Sequence, residues 1–205
     1  MRVNIKICGI TNIEDARAAI DLGADAIGFN FYERSPRYIP PARAIDIISR
    51  IDPSIEKIGV FVNANPETVL ALDGSLDYFQ FHGDETPHYL DGIGKREKSI
   101  KVLRVGDSFD PNVALDYPVE RFLLDTDTSG FGGAGKTFDW DAAIAFKQME
   151  SDFFLAGGLN SDNVADAIRR VRPFGVDVCS GVEREKGVKD HRKLEAFIRN
   201  ARIAI

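Results

Sequence analysis

Val3-Asn4-Ile5-Lys6-Ile7-Cys8-Gly9-Ile10-Thr11 reads as a short β-strand that ends at Cys8 and passes through a glycine straight into the helical pattern Asn12 to Leu22. A strand feeding a helix is the first half of a βαβ unit, and ligands gather where such strands end. The arrangement recurs along the chain. Strand patterns occupy Val3 to Cys8, Ala26 to Phe31, Lys57 to Val62, Tyr78 to His82, Lys101 to Val105, Phe122 to Asp125, Phe153 to Ala156 and Gly175 to Cys179. Helical patterns lie between them at 12–22, 42–51, 66–72, 87–92, 140–149 and 162–171, and a last one at 191–201 follows the eighth strand. Such alternation requires a parallel sheet with helical crossovers. An open doubly wound sheet and a closed (β/α)₈ barrel both satisfy it. Eight units without a linker or a break in composition favour the α/β reading as one (β/α)₈ barrel domain over residues 1–205, at the short end for that fold. The stretch 110–116 is brief, so the crossovers after strands four and five are expected to be irregular.

The bulk composition narrows the partners. The chain has 205 residues, 44% of them hydrophobic, which suits one good core and excludes a disordered polar chain. A formal charge of −6 and the lack of any long basic run argue against nucleic acid as a partner. A small anionic substrate remains compatible with that charge if the pocket is locally basic or lined by amides. Two cysteines, Cys8 and Cys179, are too few for a disulfide framework. The start Met1-Arg2-Val3-Asn4 lacks the apolar core of a signal peptide and no stretch reaches membrane-spanning length, so a cytoplasmic protein without a membrane partner is expected.

In a barrel the active site lies at the carboxyl ends of the strands, the face that collects Cys8, Asn30, His82, Arg104, Asp125, Gly157-Gly158 and Ser180-Gly181. Side chains alternate along a strand, so Lys6 and Cys8 face the barrel interior while Val3, Ile5 and Ile7 face the helices. The same parity turns Asp177 and Cys179 inward. Closure would make the first and last strands neighbours and let Lys6 pair with Asp177 beneath the site. A cysteine in such a place is either an inert core residue or a thiolate. Lys6, roughly 6 to 7 Å below along the strand, favours the thiolate. Asp125 is either a solvated cap for the next loop or an acid; the acid role needs burial or a nearby negative charge to hold its proton.

Gly157-Gly158-Leu159-Asn160 before a helix and Ser180-Gly181 after the last strand match the phosphate site of barrels, although glycine pairs also serve as plain turns. Gly130 to Thr137, G-F-G-G-A-G-K-T, formally matches the phosphate loop of nucleotide hydrolases. Thr126 to Ser129 intervene after the strand, however, and Phe138-Asp139 delay the helix, so a glycine-rich lid fits better. Histidines are few. His88 and His191 fall at helix starts and are expected at the surface, and His82 ends strand four without paired metal ligands, so no metal is expected.

With these residues in place, the chain resembles the phosphoribosylanthranilate isomerases, (β/α)₈ enzymes of tryptophan biosynthesis. The shared stretches run collinearly over nearly the whole chain: K-I-C-G-I-T at 6–11, G-F-N-F-Y at 28–32, R-S-P-R-Y-I at 34–39, G-V-F-V-N at 59–63, Q-F-H-G at 80–83, L-L-D-T at 123–126, G-G-A-G-K-T-F-D-W at 132–140, A-G-G-L-N at 156–160 and V-D-V-C-S-G-V-E at 176–183. The resemblance implies an Amadori rearrangement of N-(5-phosphoribosyl)anthranilate, with Asp125 as general acid and Cys8 as general base. It implies further that Arg37, otherwise a surface loop arginine, holds the anthranilate carboxylate and that the lid around Gly133 and Gly135 closes over the substrate. His82, Gly157, Gly158, Asn160, Ser180 and Gly181 complete the expected substrate-binding set. The partner is a small phosphosugar, no cofactor is needed because hydrogen moves within one molecule as a proton, and the protein is expected as a monomer or homodimer. Two departures stand out. Cys179 replaces a common serine, which would weaken phosphate binding slightly if the thiol touches phosphate. The loop Arg184 to Lys189 lacks the usual proline-glycine turn, leaving its conformation open. Proximity of Cys8 and Cys179 across the closing strand pair would also expose them to oxidation.

Overall fold

Alternation along the first strand sets the layers. In a computed structural model that describes residues 2–127, 139–149 and 152–204, β1 (Asn4–Ile7) buries Ile5 and Ile7 against Ala16, Ala19 and Leu194 of the helices, while Lys6 is fully buried on the other side. The remaining strands are β2 (Ala26–Asn30), β3 (Glu56–Phe61), β4 (Tyr78–Phe81), β5 (Ser99–Val105), β6 (Arg121–Thr126), β7 (Asp152–Leu155) and β8 (Gly175–Val178). All pair in parallel in sequence order, and β8 closes onto β1 in the register Asn4↔Gly175 and Lys6↔Asp177. The expected barrel and the expected Lys6–Asp177 adjacency are both present. Inside it, Ala26, Ile58, Ile100, Val102, Leu123, Phe154 and Ala156 form a packed interior separate from the larger layer between strands and helices.

The crossovers are α1 (Ile13–Asp21), α2 (Pro41–Ile48), α3 (Pro66–Leu70), α4 (Pro87–Ile93), α5 (Trp140–Lys147), α6 (Val164–Val171) and α7 (His191–Arg202). Local chemistry starts them: Asn12 accepts from the Asp15 amide at 2.8 Å, Asp139 accepts from the Asp141 amide at 3.0 Å, and prolines open α2, α3 and α4 at the position where a missing N–H costs nothing. After β5 the crossover is a 3₁₀ segment, Pro111–Asp116, as its brevity suggested, whereas α4 after β4 is a regular helix of 7 residues ending on Gly94 at φ +66°. The loop left open at 184–189 forms a hairpin, β9 (Glu183–Glu185) and β10 (Val188–Lys189), whose turn is made by Gly187 at φ +84° in place of proline-glycine. No helix among the described residues is long and apolar enough to cross a membrane.

The layer beside β6 and β7 is aromatic. Phe146 of α5 is fully buried and meets Phe122 and Phe153 edge to face at 5.5 and 5.3 Å. Phe146→Ala is expected to cost about 3–5 kcal/mol, the range for emptying a packed aromatic site. Urea denaturation of the two proteins measures it, and a loss below about 1 kcal/mol would mean that the layer collapses into the gap.

Candidate active site

Cys8 follows β1 directly, and its amide donates to Val178 O at 2.9 Å across the closing seam. Two glycines make room for the thiols at this seam. A Cβ on Gly28 of β2 would stand 2.9 Å from Cys8 Sγ, and one on Gly9, which also needs φ +75°, would stand 2.9 Å from Cys179 Sγ. Beneath the thiol, Lys6 Nζ lies 2.9 Å from Asp177 Oδ1 in a pair whose side chains are 0% and 9% exposed. Burial pushes the Asp177 carboxyl up to about 6, against the pull of Lys6, and the Cys8 and Asp125 charges add to the push. Burial would lower Lys6, but the charges of Asp177 and Cys8 outweigh it and hold the ammonium above its ordinary value.

The two thiols meet, and one proton is shared unequally. Cys8 is held well below the usual thiol range, first by a hydrogen bond from Cys179 and, against burial, by the positive charges of Lys6 and Lys189. Cys179 is pushed well above that range by its bond to Cys8 and by burial. Cys179 Sγ also lies 3.6 Å from Glu183 Oε1, a second acceptor for the single proton of that thiol. Cys179 is therefore set between Cys8 and Glu183. Both cysteines are free thiols.

Arg37 is no surface residue. Only 9% exposed, it makes a two-pronged bond to Glu183, Nε to Oε1 at 2.9 Å and Nη2 to Oε2 at 2.7 Å. Burial works to raise Glu183, but the Arg37 bonds and the Lys189 charge dominate and draw it down to about 2. That bond, more than the cost of burial, holds Arg37 above its ordinary value. Lys189, fully buried on β10, reaches the same carboxylate at 3.3 Å.

Asp125, 7% exposed near the end of β6, accepts from the Thr126 amide through Oδ1 at 2.8 Å and presents Oδ2 3.3 Å from His82 Nε2. Gln80 Nε2, which can only donate, lies 3.1 Å from His82 Nδ1, so the hydrogen-bond pattern assigns the ring proton to Nε2, facing Asp125. His82 thus reaches the site as an orienting partner of Asp125. His88 is exposed, while the half-exposed His191 bonds Asp15 Oδ1 at 2.8 Å.

At the far end of β7 and β8, Gly157 and Gly158 adopt φ of +80° and +63°, and a Cβ on Gly181 would collide with the Leu159 carbonyl, so the two glycine loops pack backbone against backbone. Ser180 and Gly181 open a short 3₁₀ turn beside them. Asn160 serves the loop itself: its Oδ1 accepts from the Asp162 amide at 2.8 Å and its own amide donates to Asn163 Oδ1 at 2.9 Å. Gly133, Gly135 and the rest of the motif Gly130 to Thr137 lie outside the described residues. Sequence reasoning missed Gln80, Glu183 and Lys189. Gln80 shares the strand parity of His82 and was open to that argument, while nothing in the local pattern marks the other two.

Comparison with known proteins places this geometry. The family model described as N-(5'phosphoribosyl)anthranilate (PRA) isomerase matches residues 5–200. The N-(5'-phosphoribosyl)anthranilate isomerase of Pelobacter propionicus is 47% identical over 204 residues, covering 98% of this chain and 96% of its own. The crystal structure of phosphoribosyl anthranilate isomerase from Thermotoga maritima superposes with a TM-score of 0.89 at 44% identity, over 97% of this chain and 98% of that one. A further isomerase structure, in complex with reduced 1-(o-carboxyphenylamino)-1-deoxyribulose 5-phosphate, gives a TM-score of 0.86 at 41% identity over the same shares. The chain belongs to the N-(5'-phosphoribosyl)anthranilate isomerase family.

Proposed function

We propose that this protein, a cytoplasmic enzyme of tryptophan biosynthesis, converts N-(5-phosphoribosyl)anthranilate to 1-(2-carboxyphenylamino)-1-deoxyribulose 5-phosphate by general acid–base catalysis without a cofactor. The observation that carries the mechanism is the placement of Cys8 at the barrel mouth between Lys6 below and Lys189 beside it, charges that draw its proton affinity down, with a carboxyl group on β6 three strands away around the wall.

The chemistry assigns the two groups. Asp125 gives its proton to the furanose ring oxygen as the C1–O bond breaks, leaving an iminium between the sugar and the anthranilate nitrogen. The iminium acidifies the C2–H, and the Cys8 thiolate removes that proton. The resulting enolamine tautomerises to the ketone. A thiolate base serves at neutral pH only if its proton affinity has been lowered, which the two lysines and Cys179 supply. His82 keeps Asp125 turned toward the mouth.

Substrate is held at both ends. The amides around Gly157, Gly158, Ser180 and Gly181 receive the phosphate, with Asn160 shaping its loop. Arg37, held in place on one edge by Glu183, offers its remaining guanidinium N–H groups to the anthranilate carboxylate.

Addition of the protein to phosphoribosylanthranilate should quench the substrate's fluorescence, and a well-folded protein that leaves it unchanged would remove the assignment. Cys8→Ala and Asp125→Asn are each expected to lower turnover roughly 10²- to 10⁴-fold; retention of most turnover in either denies that residue its role. Arg37→Met should raise KM about tenfold or more while kcat changes less. An unchanged KM would exclude the carboxylate contact.

A further inference from the structure

Lys189 occupies an unusual place for a lysine. Its side chain is fully buried, and its Nζ donates to the carbonyl oxygens of Cys8 at 2.5 Å and Cys179 at 3.4 Å and to Glu183 Oε1 at 3.3 Å. An ammonium has three donors, so these partners use all of them. Its backbone is pinned as well: the Lys189 amide donates to Asp15 Oδ2 at 2.9 Å, and Asp15 is itself held by Asn12 and His191. The ammonium therefore straddles the seam where β1 and β8 close the barrel, on the first residue after each strand.

The charges around that seam do not balance without the thiol. Lys6 is matched by Asp177. Arg37 and Lys189 share the single carboxylate of Glu183. Three buried cations thus share two bonded carboxylates, since the nearby buried carboxylate of Asp15 is taken up by Asn12, His191 and the Lys189 amide, and an uncompensated buried cation is costly. Of the other groups facing Cys8, Cys179 of the β8 end is the proton donor in the thiol pair, Asp125 of β6 is the acid in the reading above, and His82 of β4 is turned to Asp125. The missing negative charge falls to Cys8.

We propose that Lys189 is a positioning residue for the Cys8 base: its buried ammonium pins the carbonyls on either side of the seam and supplies the positive charge that the Cys8 thiolate balances. This rests on Cys8 acting as the base, but the charge relation is measurable without substrate. Its electrostatic influence on Cys8 follows those of the Cys179 hydrogen bond and of Lys6 and works against burial. Glu183 tempers it by sharing its charge with both cations.

The test follows the pH dependence of Cys8 alkylation by iodoacetamide, read site by site by mass spectrometry in the intact protein, for wild type, Lys189→Gln, Lys189→Arg and Glu183→Gln. Glutamine keeps hydrogen bonding to the carbonyls but removes the charge. The midpoint should rise by about one pH unit or more in Lys189→Gln, a tenfold loss of thiolate below it, and return toward wild type in Lys189→Arg. The acid limb of kcat/KM should move with it. In Glu183→Gln, where Arg37 and Lys189 lose their counter-charge, the midpoint should fall. A folded Lys189→Gln with the wild-type midpoint overturns the proposal whatever its activity, and should that variant not fold, an unchanged or raised midpoint in Glu183→Gln does so. Retained turnover in Cys8→Ala would instead remove the base role while leaving these midpoints as they are, so the two failures are distinguishable.

Discussion

The seam between β1 and β8 is the constraint on which the rest depends. A parallel barrel has no edge only if its first and last strands pair, and here that pairing sets Lys6 opposite Asp177 in a site with almost no water. A slip of one residue would turn Lys6 into the apolar helical layer and bring Ile5 or Ile7 into the barrel, a loss that the buried charge alone makes prohibitive. The ion pair therefore specifies the register, and the register carries Cys8 and Cys179 to adjacent positions at the mouth. A wrong register would separate the two thiols and detach Lys189 from both strand ends.

Electrostatics divide the mouth into two halves suited to opposite tasks. On the seam side, Lys6, Arg37 and Lys189 make a region that favours an anion, and the Cys8 thiol there is held well below its usual range. Around the wall on β6, Asp125 is buried, and among the described residues its bonds are to the Thr126 amide and His82. A base that must be free and an acid that must hold its proton need environments of opposite sign. The barrel places Cys8 and Asp125 on strands separated by β7 and β8, with Asp177 in electrostatic contact with both.

Much of this was legible from one dimension. The alternation of strand and helix patterns dictated a parallel α/β fold, eight units without a linker favoured the barrel, and the parity of period two placed Lys6 and Cys8 on the inner face because Ile5 and Ile7 required the apolar layer. The end of the Phe122-Leu123-Leu124 run marked Asp125 for the same reason. Helix starts at Asn12 and Asp139 were visible because capping is a local hydrogen bond. The hairpin of β9 and β10 was not, since Glu183–Glu185 and Val188–Lys189 are too short and too charged to show a period.

The sequence by itself determined the fold class, the inward face of each strand and the residues with the right chemistry at the strand ends, because those properties depend on neighbours only a few residues away. Tertiary structure alone decided who meets whom. Arg37 and Glu183 are 146 positions apart, and Lys189 and Cys8 are 181 apart. Their contacts exist only after the last strand returns to the first. Whether a thiol becomes a base or stays an inert core group depends on charge within a few ångströms in a medium of low dielectric constant, and in this chain Lys6 supplies part of that charge locally while Lys189 and Cys179 arrive from the opposite end.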